Sequence, residues 1–95
     1  MTQTSHRPVA IVTGAGGAIG QAIVRKLAAD GLNLALADIH LEPIEALAAS
    51  LDLAAGQQAV CVQVDMGSVE SIGRLVDTVG ERFGRIDHVV NNAAV

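Results

Sequence analysis

The chain has 95 residues, enough for one small domain, and is 51% hydrophobic with Phe83 as its single aromatic, so any core must be aliphatic. Its net charge is −4 with no basic cluster, which argues against nucleic acid or an anionic membrane surface as a partner. No apolar run is long enough to span a bilayer, the start of the chain is polar with no visible signal peptide, and the lone Cys61 permits no internal disulfide; a cytoplasmic protein fits all three.

Residues 1–7 read as a flexible tail ahead of a single unit over 8–95. The apolar stretch Val9-Ala10-Ile11-Val12 with Thr13 reads as a buried strand. It runs into Gly14-Ala15-Gly16-Gly17-Ala18-Ile19-Gly20, a glycine-rich turn that opens a helix over 18–30. Ile19, Ile23 and Leu27 recur at i, i+4 and i+8 and predict the buried face of that helix, and Gly31 marks its end. A second strand is expected over 33–38. A second helix follows over 41–54, with Pro43 tolerated in its first turn and Ile44, Leu47, Ala48 and Leu51 as its apolar stripe. Residues 59–64 read as a third strand, with Cys61 buried between Val60 and Val62 rather than acting as a nucleophile. Ser68 is placed to cap a third helix with Glu70 in its first turn. Ile72, Leu75, Val76, Val79 and Phe83 line one side of it, and Gly84 stops it. Residues 86–91 read as a fourth strand.

Alternating strands and helices with continuous apolar strands predict an α/β fold, a Rossmann-type doubly wound parallel sheet. Right-handed crossovers give the partial order 3-2-1-4 for four strands and three helices. The switch point lies between strands one and four, so the glycine turn and the end of the fourth strand border one crevice, where a ligand belongs.

A glycine turn between a buried strand and a helix suits a dinucleotide pyrophosphate. Gly14 supplies the tight turn, Gly16 and Gly17 allow close approach of phosphate oxygens, and Gly20 lets the helix pack against the strand. The helix N-terminus offers amides and partial positive charge to the anion. The bland alternative is a simple strand-to-helix loop. A phosphate-gripping P-loop is excluded because Gln21, not Lys-Ser/Thr, follows Gly20. A methyl-donor site is a weaker rival, since such sites usually carry an acid just before the glycines, where Val12 and Thr13 stand.

Asp38 ends the second strand. A carboxylate there accepts the ribose hydroxyls of an adenosine and repels a 2′-phosphate, which predicts NAD over NADP; the alternative is a solvated strand-end acid. Ile39 and His40, which follow, supply no permanent cation. Asp65 reads equally as an adenine contact and as a turn acid beside Met66-Gly67. Asn91 and Asn92 are placed to bridge the sheet or to touch a cofactor. His6, His40 and His88 have no metal-ligand spacing. The chain has no Tyr and one lysine, Lys26, so chemistry that needs a Tyr acid or base has no residue here.

Together these features resemble the short-chain dehydrogenase/reductase family over 8–95. The cofactor-loop pattern Thr-Gly-x-x-x-Gly-x-Gly appears as Thr13, Gly14, Ala18 and Gly20, with Ala18 at the middle glycine and Gly16-Gly17 before it. Asp38 matches the acid after the second strand, Asp65 the adenine-contacting Asp, and Asn91-Asn92-Ala93-Ala94 the Asn-Asn-Ala-Gly motif with alanine for its last residue. Glu81-Arg82-Phe83-Gly84-Arg85-Ile86-Asp87 is similar to the family's approach to the fourth strand. The resemblance implies the cofactor-binding half of an NAD-dependent oxidoreductase. Gly14, Gly16, Gly17, Ala18, Ile19 and Gly20 would hold the pyrophosphate, Asp38 the ribose, Asp65 and Met66 the adenine, and Asn91, Asn92 and Ala93 would flank the central sugars. It also implies a small alcohol or ketone substrate and a homo-oligomer for a full-length enzyme. The family's catalytic Ser and Tyr-x-x-x-Lys follow the fourth strand and match no residue here, so the chain alone is expected to be inactive. A non-catalytic nucleotide-binding module and a remnant of a truncated gene are the alternatives.

Overall fold

The structure is a computed structural model that describes residues 5–93. Its elements are β1 Val9–Thr13, α1 Ala18–Ala29, β2 Asn33–Asp38, α2 Leu41–Ser50, β3 Ala59–Gln63, α3 Val69–Phe83 and β4 His88–Asn91. The four strands form one parallel sheet in the order β3-β2-β1-β4, as the alternation of elements predicts. β1 and the first five residues of β2 are fully buried because both lie inside the sheet with helices on each face. Ala10, Val12, Leu34 and Leu36 pack against α1 and α2 on one side. Val9, Ile11, Ala35 and Ala37 pack against Leu75, Val79 and Phe83 of α3 on the other.

α1 differs from expectation in its rotation. Its buried residues are Gly20, Val24 and Ala28, while Ile19 is 69% exposed and Ile23 and Leu27 are half-buried. Small side chains at i, i+4 and i+8 let the helix lie close to the sheet, and that close approach outweighs the larger isoleucines. Val76 of α3 is likewise exposed rather than core. Cys61 is half-buried, because β3 is an edge strand with one free flank.

α2 ends at Ser50 rather than 54, with Leu51 in extended backbone. No glycine or proline marks the stop; the tertiary partner is Gln57. Its buried side chain donates to the Ala28 and Leu32 carbonyls at 2.8 and 2.7 Å and accepts the Ala54 N–H at 2.9 Å. The segment after α2 is therefore tied to the end of α1: it meets the Leu32 carbonyl and adds a second donor to the Ala28 carbonyl, which also accepts the Gly31 N–H. α3 matches its sequence signals: Ser68 accepts the Ser71 N–H and Gly84 closes the helix at φ 73°.

β4 begins at His88 instead of 86. The first N–H of β1, on Val9, is taken by the Asp87 carboxylate at 2.8 Å, so the ladder starts at the Ala10–His88 pair. Residues 5–7 are also held against the domain rather than free. The Ser5 N–H donates to Phe83 at 2.7 Å, and the Arg7 guanidinium donates to the Gly31 and Ala55 carbonyls. The rest of the expected tail, 1–4, lies outside the described residues, as does Ala94.

Candidate functional site at the switch point

The C-terminal ends of the parallel strands converge on one cleft of about 490 Å³. Gly14 and Gly17 line it from the loop after β1, and Asp38 and Ile39 from the end of β2. Asp65 and Met66 line it after β3, and Asn92 and Ala93 after β4. Four separate segments meet there because the sheet order places β1 between β2 and β4.

The loop is built by glycine where the geometry demands it. Gly14 sits at φ +64°, and a Cβ on it would come within 3.0 Å of the Ala93 backbone. A Cβ on Gly20 would overlap the Gly14 carbonyl oxygen. Gly20 thus clears its own loop, where the sequence suggested clearance of the strand. Gly17 is the N-cap of α1 and supplies no side-chain cap, and the first turn holds no acid. The first helical hydrogen bond is Gln21 N–H to Gly17 at 2.9 Å. The start of the helix is left open, with the amides of Ala18, Ile19 and Gly20 ahead of that bond. Ala18 is exposed, so its methyl is accommodated. Ile19 and Ala18 also border a second, apolar hollow on the outer side of α1.

Asp38 reaches the loop directly. Its Oδ2 accepts the Gly16 N–H at 2.9 Å and its Oδ1 accepts the His40 N–H at 3.1 Å. Gly16 itself does not line the cleft, since its amide is turned to Asp38. Asp65 borders the cleft, and its Oδ1 accepts the Gly67 N–H at 2.9 Å in a tight turn, as the turn-acid reading expects.

The asparagines serve structure first. Asn91 Oδ1 lies 3.2 Å from the Thr13 hydroxyl, and the Asn92 amide donates to the Gly14 carbonyl at 3.3 Å. With Ile39, Val64 and Gly67 of the cleft lining, Thr13 is one of the residues that sequence reasoning left out of the site. Its buried hydroxyl also accepts the Asn92 and Ala93 N–H groups at 3.1 and 3.2 Å. Those partners lie 78 to 80 residues away, so no local pattern could reveal them. Gln21, whose amide donates to the Gly16 carbonyl at 2.9 Å, was missed for its role in the loop as well.

Away from the cleft, burial first and the charge of Glu45 second push the Cys61 thiol above its ordinary pKa. That leaves it protonated and inert, as a packed strand residue is expected to be. Among the described residues no helix is long and apolar enough to cross a membrane.

A parallel sheet in this order, with a glycine loop and an open helix N-terminus at its switch point, defines a Rossmann-type nucleotide-binding fold. The chain belongs to the short chain dehydrogenase family, whose model matches residues 8–95. It is 43% identical over 89 residues to D-threitol dehydrogenase of Mycolicibacterium smegmatis, covering 92% of this chain and 33% of the relative. NAD+-bound xylitol dehydrogenase superposes with a TM-score of 0.85 at 40% identity, covering 93% of this chain and 34% of that one. A metagenomic short-chain oxidoreductase in complex with NADP superposes equally well, at 0.85 and 36% identity, covering 97% of this chain and 41% of the other. The chain spans about a third of the length of the curated relatives it matches.

Proposed function

We propose that residues 8–95 form the NAD-binding portion of an oxidoreductase that interconverts an alcohol and a ketone. The observation that carries this reading is the Asp38 carboxylate, placed at the cleft beside the glycine loop and the open start of α1.

The residues present fit a dinucleotide. The cleft is bordered by Gly14 and Gly17 of the loop after β1, and a Cβ at Gly14 would crowd the Ala93 backbone. The helix start holds no competing acid, so an anionic pyrophosphate meets amides and partial positive charge. Asp38 retains lone pairs for ribose hydroxyls and repels a 2′-phosphate. Ile39 and Met66 give the adenine apolar surface, and Asp65 offers an acceptor at its edge. Asn92 and Ala93 border the cleft and would flank the central sugars, with Thr13 holding their backbone amides; Asn91 does not line the cleft and would act through Thr13.

When bound, the nicotinamide cofactor accepts or donates hydride. The task of this chain is to grip, orient and partly desolvate it. No Tyr is present, and the only lysine, Lys26, is paired with Asp30 at 3.0 Å on the outside of α1. Proton transfer by a Tyr-Lys pair has no residue in 8–95, and a full-length enzyme of this kind would be a homo-oligomer acting on a small alcohol or ketone.

The test is a fluorescence titration of NADH against NADPH. NADPH is expected to bind at least about tenfold more weakly, a modest effect for like charges brought together in a partly dry site. Tighter NADPH binding overturns the preference, and binding of neither overturns the reading. The purified 95-residue chain is expected to turn over no alcohol.

A further inference from the structure

Asp38 is engaged by two backbone amides. Its Oδ2 takes the Gly16 amide at 2.9 Å, and its Oδ1 takes the amide of His40, the N-cap of α2, at 3.1 Å. Neither α1 nor α2 has a side-chain cap of its own. A Cβ built on Gly16 would lie 3.0 Å from Asp38 Oδ2 and 3.1 Å from the Cβ of Pro43. The glycine loop, the end of β2 and the first turn of α2 therefore touch at this one carboxylate. The opposite side of the same loop residue is held by Gln21, which donates to the Gly16 carbonyl at 2.9 Å.

We infer that Asp38 is a positioning residue for the pyrophosphate loop, in addition to the ribose role proposed above. The carboxylate fixes the peptide that carries the Gly16 amide and so sets how the following amides present themselves to an anion. Each carboxylate oxygen has two lone pairs, so accepting one N–H apiece leaves each able to accept one hydroxyl. A hydrogen bond to a charged acceptor is about twice as strong as a neutral one, and the geometry here joins two otherwise uncapped helix starts. The consequence concerns specificity. Removing Asp38 to admit a 2′-phosphate also releases the loop, so a single replacement weakens both cofactors instead of exchanging one for the other.

Residue-resolved amide hydrogen exchange on the protein, without ligand, reads this directly. Asp38→Ala is expected to speed exchange at both Gly16 and His40 by about tenfold or more, the scale of losing a hydrogen bond to a charged group. Asp38→Asn has one carbonyl oxygen and is expected to keep one of the two amides protected. The same variants are then titrated with an NAD analogue whose adenosine ribose lacks both hydroxyls, which removes the direct ribose contact. Asp38→Ala is expected to weaken that analogue by about tenfold and Asp38→Asn by less. Unchanged Gly16 exchange in Asp38→Ala overturns the inference, and so does unchanged affinity for the analogue. If the wild-type protein binds no NADH, the cofactor reading fails, and the exchange comparison, which needs no ligand, still decides the positioning role.

Discussion

Thr13 ties the two halves of the site together with one hydroxyl. That group has one proton and two lone pairs, and the structure uses all three, toward Asn91 Oδ1 and from the Asn92 and Ala93 amides. Thr13→Val keeps the shape of the side chain, leaves the Ala93 amide without its acceptor and leaves the Asn92 amide with the Val90 carbonyl alone. It is expected to cost about 1–3 kcal/mol in urea unfolding and to weaken dinucleotide binding, while Thr13→Ser restores most of both. Equal stability of wild type and Thr13→Val would show that the turn after β4 holds itself. Asp38 and the glycines were readable because their chemistry is local: a strand, a turn, a helix and an acid in order. Thr13 was not, because a threonine at a strand end carries no mark of what it will meet across the sheet.

Among the elements, α1 shows where periodicity misleads. Counting large apolar residues selects Ile19, Ile23 and Leu27, yet the side facing the sheet is Gly20, Val24 and Ala28. The glycine loop fixes the phase of the helix, since Gly20 must pass the Gly14 carbonyl oxygen. Two glycine-to-alanine changes separate steric demand from helix propensity. Alanine favours a helix interior by about 1 kcal/mol over glycine. At Gly73, in α3 with open space around it, Gly73→Ala is expected to stabilise by about 0.5–1 kcal/mol. Gly20→Ala is expected to destabilise by about 1–3 kcal/mol and to lose cofactor affinity, because its methyl has nowhere to go. Denaturant midpoints of the two variants should move in opposite directions; a shared direction would mean the loop yields freely.

For the whole molecule, the end of the sheet opposite the cleft is closed by Arg85 and Asp87. The Arg85 guanidinium donates to both Asp87 oxygens and to the Ser5 carbonyl, and Asp87 also accepts the Val9 N–H. Chain start, β1 and the entry to β4 are thereby joined. The hydrogen bonds from Arg85, followed by that from Val9, hold the Asp87 carboxyl below its usual pKa. A lowered folded value means a contribution that is fully present above the ordinary carboxylate range and is lost as pH falls through the folded value. Urea midpoints measured from neutral pH down through about pH 4 and below should fall more steeply for wild type than for Asp87→Asn. Parallel curves would show that the pair does not contribute to acid stability.

The sequence by itself determined the fold class, the strand order, the position of the glycine turn, the Ser68 cap and the acids at the strand ends. Each of these follows from interactions within a few residues, or from the handedness that governs every parallel crossover. Tertiary structure alone decided the rotation of α1, the early end of α2 and the anchoring of residues 5–7. It also decided the distant partners of Thr13, Gln57 and Asp38, which lie from 22 positions away for Asp38 to 80 for Thr13. A buried donor or acceptor must find a partner wherever the fold happens to bring one, and no periodicity in a single chain encodes that address.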